Sequence, residues 1–410
     1  MNIRNTIFKT ILKKKQLGLS SNVIFIGFIS FFTDVSSELI FTLMPLFLAN
    51  VLGAATVVIG LIEGIAESTA SVLKLVSGWL SDKLGNRKYL SFIGYAISTL
   101  SKPFMFIANA WGPIMAIRFT DRVGKGIRAA PRDALVGDSV EEDNRGKAYG
   151  FHKAMDTAGA ALGLLLAAVI IFLLQRDVVN LQIDTYRWML IIGIVPAFLA
   201  LFFFIFVKEI PKKHVDICDM PTTLRAKGKA LDKSFKIFMA IMFLFTLGNS
   251  SDAFIILRAQ SLGNGVLLIT IMLIMFNIVY AFSSMPAGML SDRLGRKKVI
   301  IAGWIIYALV YLGLAIAKQG WMIWLLYAFY GFYYGLTQGV YRALVCDLVP
   351  EEHRGTAFGM YNGIVGITLL PASLIAGWLW QSISPAAPFY FGAAMSVLAA
   401  ISLFVFVREP

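Results

Sequence analysis

The chain has 410 residues, of which 58% are hydrophobic and only 15% are charged. Soluble domains usually carry about 25% charged residues, so this composition excludes an ordinary soluble protein. The formal net charge of +13 would suit a nucleic-acid-binding protein. Its cations, however, cluster in short loops between apolar stretches, which is the positive-inside pattern of a membrane protein and argues against a nucleic-acid partner.

Twelve apolar segments are predicted to span a bilayer, because each approaches the roughly 20 residues needed to cross about 30 Å of hydrocarbon. They cover residues 22–49, 54–80, 89–108, 113–136, 148–174, 187–207, 235–258, 264–289, 299–317, 321–347, 356–379 and 386–407. The loop cations then lie on one side, so we expect a multi-pass protein of a bacterial inner membrane with both termini in the cytoplasm.

A long polar segment near the middle divides the chain. We predict a cytoplasmic tail at 1–21, a six-helix bundle at 22–207, a cytoplasmic linker at 208–234 and a second six-helix bundle at 235–410. Two motifs occur once in each half: Gly78–Lys88 returns as Gly288–Lys298, and Asp138 with Arg145-Gly146 returns as Asp347 with Arg354-Gly355. Both copies lie about 210 residues downstream, which indicates an internal repeat.

These motifs resemble those of the major facilitator superfamily. Its loop signature between the second and third helices is matched by Gly78, Leu80, Asp82, Gly85, Arg87 and Lys88. Arg122, followed by Gly126, Ala129 and Ala130, resembles the family's fourth-helix motif, in which the arginine is linked to proton coupling. Gly159–Gly163 resembles its antiporter motif, although Ala160 replaces the proline.

The resemblance covers essentially the whole chain. It implies an all-α integral membrane protein with twelve transmembrane helices in two pseudo-symmetric six-helix bundles. It also implies a transporter, expected to act as a monomer without a cofactor, whose partners are a small-molecule substrate, protons and the bilayer.

The loop signature is predicted to act as a conformational latch between the halves. The predicted latch residues are Gly78, Asp82, Gly85, Arg87, Gly288, Asp292, Gly295, Arg145 and Arg354. The glycines allow close helix approach and a sharp turn, while Asp82 can cap a helix or pair across the two halves. If the loop cations were orientation signals only, the repeated glycines and aspartates would have no explanation.

Charged residues inside the spans predict a proton-coupling site, because each costs roughly 2.5–3.5 kcal/mol at the bilayer centre unless it is matched. Asp34 and Glu38 share one face of the first span. Two neighbouring carboxylates cannot both ionise cheaply, so one can load and release a proton while Arg122 stabilises the ionised form. The alternative is a permanent ion-pair network that only holds the first half together.

Further charges in the first half form a predicted cavity network. Its members are Glu63, Glu67, Lys74, Arg118, Lys125 and Asp156. Glu63 and Glu67 either line the cavity or pair with Lys102 or Lys153. With only three histidines in the chain, we expect no metal site, and no pattern predicts a catalytic residue.

The second half offers a different, aromatic surface. Ser250-Ser251-Asp252 matches the position of Ser36-Ser37-Glu38 in the first half. The predicted substrate cavity consists of Asp252 and a stripe on the tenth span formed by Tyr327, Tyr330, Tyr334, Gln338 and Tyr341. Rings with polar tips suit an amphipathic solute, although ordinary helix packing is the alternative.

These features together predict a proton-coupled secondary transporter that works by alternating access, and they favour efflux of an amphipathic metabolite or drug-like compound. Proton-linked uptake of an anionic metabolite or siderophore-like compound remains the alternative, in which the cations of the fourth span would bind the substrate. A membrane enzyme would need a catalytic motif, and a non-transporting receptor would be expected to carry a signalling domain. The sequence therefore predicts that the protein is not an enzyme.

Overall fold

The structure is a computed structural model that describes residues 19–141, 144–176, 178–210, 233–349 and 354–407. Within these ranges the regular secondary structure is entirely helical. The α-helices run in chain order as α1 (Ser21–Phe41), α2 (Met44–Asn50), α3 (Thr56–Leu84), α4 (Arg87–Ser101), α5 (Trp111–Asp138), α6 (Arg145–Leu174), α7 (Ile183–Phe203), α8 (Lys233–Gly248), α9 (Ala253–Ser261), α10 (Val266–Leu294), α11 (Arg296–Ile316), α12 (Gly320–Asp347), α13 (Arg354–Ser382) and α14 (Ala387–Phe406).

The helices form twelve membrane crossings in the described part of the chain, as predicted. The first crossing is divided into α1 and α2 and the seventh into α8 and α9, while short 3-10 turns extend α4 through Lys102–Ile107 and α7 through Phe204–Phe206. Every predicted span falls on one crossing, with its ends displaced by a few residues.

Ten crossings in the described residues are long and apolar enough to span a membrane by composition alone. The other two are α5 and α12, the fourth crossing of each half. Each is packed along its length between two neighbours of its own half: α5 lies against α3 and α4, and α12 against α10 and α11. Charged and tyrosine side chains of these two helices are therefore shielded from lipid by apolar helices.

The two halves meet mainly along two helix pairs, α3 with α13 and, less extensively, α6 with α10, with smaller contacts of α9 on α2 and α3. Small residues allow the first pair to pack closely. A Cβ atom added at Gly60 of α3 would collide with the Ser373 carbonyl oxygen, and one added at Gly377 of α13 would lie 2.7 Å from the Thr56 carbonyl oxygen. The two helices run antiparallel, because Thr56 lies near Gly377 while Ser68 donates a hydrogen bond to the Gly366 carbonyl at 2.7 Å.

The contacts between halves are concentrated at one end of the bundle. We call the end where α1 begins and α14 ends the termini end, and the other the opposite end. At the opposite end the Val266 amide donates to the Val178 carbonyl at 3.4 Å, and Gln260 donates to the Val179 carbonyl at 2.8 Å. In this conformation hydrogen bonds join the two halves at the opposite end.

The predicted domain boundaries stay predictions. Residues 1–18 of the predicted tail and 211–232 of the predicted linker lie outside the described residues. Next to the linker, the Asn22 side chain at the start of α1 donates to the Lys208 carbonyl at 2.8 Å and accepts from the Lys208 amide at 2.9 Å. The first and sixth crossings are thereby joined at the termini end.

Candidate functional site: a central cavity with a charged and an aromatic wall

A cavity of about 420 Å³ lies between the two halves. The first half contributes a polar wall with Glu38, Glu63, Glu67 and Arg118, and the second half contributes Asp252 with aromatic rings. A cavity of this size, lined by apolar surface and a few polar groups, is typical of a small-molecule site.

Both helix interruptions lie at this cavity. In the first crossing α1 ends at Phe41 and α2 begins at Met44, with Pro45 in its first turn, where the ring disfavours a continuous helix. In the seventh crossing residues 249–252 are not helical, because Asn, Ser and Asp side chains compete with the helix for backbone hydrogen bonds. The Ser251 amide donates a hydrogen bond to the Ser373 hydroxyl of α13 at 3.3 Å. Residues 249–252 all line the cavity.

Two ion pairs join α3 to α5 beside the cavity. Arg118 Nη2 lies 3.2 Å from Glu63 Oε2, and Arg122 Nη1 lies 3.1 Å from Glu67 Oε1. On each helix the two charged residues are four positions apart and therefore lie on the same face. When these faces of α3 and α5 pack against each other, both ion pairs form at the same time. In this conformation Arg122 pairs with Glu67 rather than with Asp34 or Glu38. Glu63 and Glu67 line the cavity, which is the first of the two alternatives predicted for them. Periodicity defined the charged face of each helix but not the helix it meets.

Asp34 and Glu38 lie at a second, smaller cavity of about 110 Å³, which they line with Arg122, Lys125 and Arg128. Glu38 also lines the central cavity and accepts a hydrogen bond from the Thr42 hydroxyl at 2.5 Å. Among the described residues, neither carboxylate has a Lys or Arg nitrogen within 4 Å. Both are therefore near the cations of α5 without a fixed partner.

The Gly159–Gly163 segment sets the distance between α6 and α1. A Cβ atom added at Gly163 would lie 2.8 Å from Glu38 Cβ, and one at Gly159 would collide with the Phe31 carbonyl oxygen. Ala160 in place of the family's proline leaves this close approach intact. The segment thus positions the Glu38 face of α1 against α6.

The remaining first-half residues are distributed differently. Asp156 lies 3.8 Å from His152 Nε2, which is bonded to the Ser30 hydroxyl at 2.8 Å. Lys74 is exposed on α3 and does not line the central cavity. Sequence reasoning did not anticipate the position of Lys102: it is 1% exposed, and its Nζ donates to the Ser36 hydroxyl at 2.7 Å.

The tyrosine stripe of α12 is divided by the packing. Tyr327 and Tyr334 line the cavity, while the Tyr330 hydroxyl donates to Asp252 at 2.6 Å. Tyr341 is buried inside the second half, where it accepts from Trp304 Nε1 at 2.6 Å. Gln338 is partly buried and, like Tyr341, is not among the residues that line the cavity. One face of α12 therefore contributes both to the cavity wall and to packing inside the second half.

The loop signature forms contacts within each half. Arg87 is paired with Asp138 in the first half, and Arg296 is paired with both Asp292 and, at 3.4 Å, Asp347 in the second. Gly85 and Gly295 adopt φ of +66° and +95°, conformations that favour glycine and end α3 and α10. A Cβ atom added at Gly78 would lie 3.4 Å from Ala130 Cβ, which is ordinary contact, while one added at Gly288 would meet open space.

The latch prediction itself is not tested. The side chains of Asp82 and Arg354 lie outside the described residues. Arg145 begins α6. The described ion pairs of this motif connect neighbouring helices of one half, which stabilises each six-helix bundle.

Known proteins resemble this chain in sequence and in fold. A family model described as Major Facilitator Superfamily matches residues 26–258 and 237–410. An uncharacterised transporter of that type from Methanocaldococcus jannaschii is 38% identical over 391 residues, covering 94% of each chain. The class E tetracycline resistance protein from Escherichia coli is 34% identical over 119 residues, 29% of each chain. A crystal structure of a mutant nucleoside transporter NupG has a TM-score of 0.80 at 14% identity, over 95% of this chain and 100% of that one.

These matches confirm the predicted architecture of twelve membrane helices in two pseudo-symmetric bundles. The family model covers both halves, and the transporter from Methanocaldococcus jannaschii aligns over almost the full length. The chain is a multi-pass membrane protein, and it belongs to the Major Facilitator Superfamily.

Proposed function

We propose that the protein is a proton-coupled secondary transporter that moves a small amphipathic solute out of the cell by alternating access. The observation that carries the proposal is the position of Glu38, which lines both the solute-sized cavity and the smaller charged cavity that holds Asp34. A carboxylate that lines both cavities can change its protonation when the solute binds, and its protonation can change solute binding in turn. Coupling of the two fluxes requires this mutual dependence.

The charged cavity supports a proton site. Asp34 and Glu38 face Arg122, Lys125 and Arg128 without a fixed ion-pair partner among the described residues, whereas Glu63 and Glu67 are matched at 3.2 and 3.1 Å. Unmatched carboxylates can gain and lose protons without breaking a salt bridge. Arg122 then acts through the electrostatic field of the site and through its pairing with Glu67.

The direction of transport is proposed from two considerations. The partial similarity to a tetracycline resistance protein favours export. Uptake of an anion is disfavoured because four carboxylates line the cavity against a single arginine, Arg118, which already pairs with Glu63.

The test is gradient-driven transport in proteoliposomes, using compounds that stabilise the purified protein in a thermal-shift screen of metabolites, siderophores and drugs. We expect wild-type protein to accumulate the compound when a pH gradient is imposed. Glu38→Gln and Asp34→Asn should abolish accumulation but retain exchange of labelled for unlabelled compound, because the neutral side chains keep the cavity shape and lose the proton.

Asp184→Asn is the matched control, since Asp184 is an exposed carboxylate in the first turn of α7, away from both cavities. It should accumulate the compound like wild-type protein. Accumulation that persists in the Asp34→Asn/Glu38→Gln double variant would refute the proposed proton site.

A further inference from the structure

Asp252 occupies the interrupted part of the seventh crossing. The chain between α8 and α9 is not helical there, and Asn249, Ser250, Ser251 and Asp252 all line the central cavity. Irregular backbone at membrane depth is tolerated where it is buried or lines a cavity, and in transporters such interruptions carry substrate contacts. The position of Asp252 therefore indicates a binding role rather than a packing role.

The negative charge of Asp252 is not compensated by a neighbouring cation. The Tyr330 hydroxyl donates a hydrogen bond to its carboxylate at 2.6 Å, and among the described residues no Lys or Arg nitrogen lies within 4 Å of it. A hydrogen bond from a neutral hydroxyl orients the carboxylate without neutralising it. A half-buried carboxylate in this setting favours a cation from the solute.

Three aromatic rings share the wall of the cavity with Asp252. Phe276, Tyr327 and Tyr334 all line it, and the Phe276 ring lies 5.1 Å from that of Tyr327 and 5.3 Å from that of Tyr334. Ring faces attract cations, most strongly where water is excluded. A carboxylate beside a continuous aromatic surface is suited to an organic ammonium group.

Arg118 offers a second, different contact from the first half. It is 4% exposed and lines the same cavity, and its Nε and Nη1 atoms are buried without a hydrogen-bond partner. Because Glu63 already offsets its charge at 3.2 Å, Arg118 presents unused donors rather than net positive charge. Such donors suit a neutral carbonyl or hydroxyl oxygen.

We infer that the central cavity binds organic ammonium ions that also carry a carbonyl or hydroxyl oxygen. The ammonium group contacts Asp252 and the rings of Phe276, Tyr327 and Tyr334, and the oxygen accepts from Arg118. The inference rests on the proposed transport function, since it assigns the solute class of the same cavity.

Equilibrium binding to the purified full-length protein tests the inference with four probes of matched shape. Benzoylcholine carries both features. Its carbon isostere 3,3-dimethylbutyl benzoate lacks the charge, (4-phenylbutyl)trimethylammonium lacks the oxygens, and 3-(benzoyloxy)propanoate reverses the charge. We expect benzoylcholine to bind at least about tenfold more tightly than each of the others, a difference of one decade in Kd.

Variants assign the two contacts. Asp252→Asn should remove the preference for benzoylcholine over the neutral 3,3-dimethylbutyl benzoate. Arg118→Lys keeps a positive charge next to Glu63. It should remove the preference for benzoylcholine over (4-phenylbutyl)trimethylammonium, which lacks the oxygens. Asp184→Asn should leave both preferences unchanged. Equal binding of the neutral isostere, tighter binding of the anion, no binding of benzoylcholine, or an unchanged cation preference in Asp252→Asn would each overturn the inference.

Binding needs no pH gradient, so the outcome is separable from that of the transport test. Selective binding of benzoylcholine without gradient-driven accumulation would refute proton coupling and leave the solute class intact. Accumulation of a different class of compound, with no binding of benzoylcholine, would refute the solute class and leave proton-coupled transport intact.

Discussion

At the scale of single residues, ion pairs between neighbouring helices match several of the charges in the first half. Glu63–Arg118 and Glu67–Arg122 lie between α3 and α5, and Arg87–Asp138 joins α4 to α5. Removing one member of such a pair leaves an uncompensated charge away from water, which costs far more than the pair contributes when it is intact. These pairs therefore constrain which helices of the first half can be neighbours.

A double-mutant cycle tests the Arg122–Glu67 pair. Arg122→Gln and Glu67→Gln should each lower the free energy of unfolding by about 1–2 kcal/mol, because each removes the nearest counter-charge of its partner while the 39% exposure of the Glu67 side chain lets water screen part of the loss. The double variant should lose clearly less than the sum, since neither charge then remains. Denaturant titration in detergent measures all four proteins.

The exposed pair Arg187–Asp184, at 3.5 Å, provides the control cycle. Water screens it, so its coupling energy should fall below about 1 kcal/mol. Additive losses at Arg122 and Glu67 would show that their contact does not contribute to the stability of the first half.

Glycine-lined contact between α3 and α13 is the main connection between the halves at the scale of helices. Gly60 and Gly64 of α3 face Ser373 and Leu370, while Gly366 of α13 faces Ser71. Without side chains at these positions the backbones approach closely, and dispersion contacts replace the lipid that would otherwise fill the space. Because the contact begins at the opposite end, its closeness controls access to the cavity from that side.

Gly60→Ala should loosen the opposite end, because the new Cβ collides with the Ser373 carbonyl oxygen and backbone must move. Access is measured by thiol labelling of Ala253→Cys, a cavity position, in a variant lacking Cys218 and Cys346. The rate at which a membrane-impermeant thiol reagent labels this cysteine from the opposite end should increase. Vesicles of both orientations identify the end from which the reagent enters.

Gly150→Ala is the matched substitution, since Gly150 also lies within a helix but an added Cβ meets no atom within 4 Å. It should leave labelling at the wild-type rate. An unchanged rate in Gly60→Ala would mean that the α3–α13 contact is not the barrier on that side.

The asymmetry of the contacts between halves defines the conformation of the whole molecule. The described hydrogen bonds between the halves, from Val266, Gln260, Thr56 and Ser68, lie at the opposite end or towards the middle of the bundle. Alternating access requires these contacts to separate while others form at the termini end. Small residues and single hydrogen bonds make such separation inexpensive compared with breaking the ion pairs inside a half.

A disulfide that joins the two halves at the opposite end should block alternating access. Val178→Cys/Val266→Cys joins two residues whose backbones are already hydrogen bonded at 3.4 Å, so oxidation should abolish gradient-driven transport and a reductant should restore it. Asn264→Cys/Gly320→Cys, within the second half and linked by a 3.2 Å bond, should crosslink without blocking transport. Full transport by the fully oxidised Val178→Cys/Val266→Cys protein would contradict rocking of the halves about the cavity.

The sequence by itself determined the twelve crossings, the repeat and the face of each helix that carries charge, because these follow from hydrophobic length, motif identity and the 3.6-residue period. Asp252 was predicted as a cavity residue and Glu38 as a proton-coupling residue at the equivalent position of the first half, and both line the central cavity. Only the tertiary structure decided that Arg122 meets Glu67, that Lys102 reaches Ser36, and that Tyr341 packs while Tyr334 faces the cavity. A helical period fixes side-chain directions about one axis, whereas contacts also depend on the rotation, register and crossing of each helix pair, which arise from packing between segments far apart in the chain.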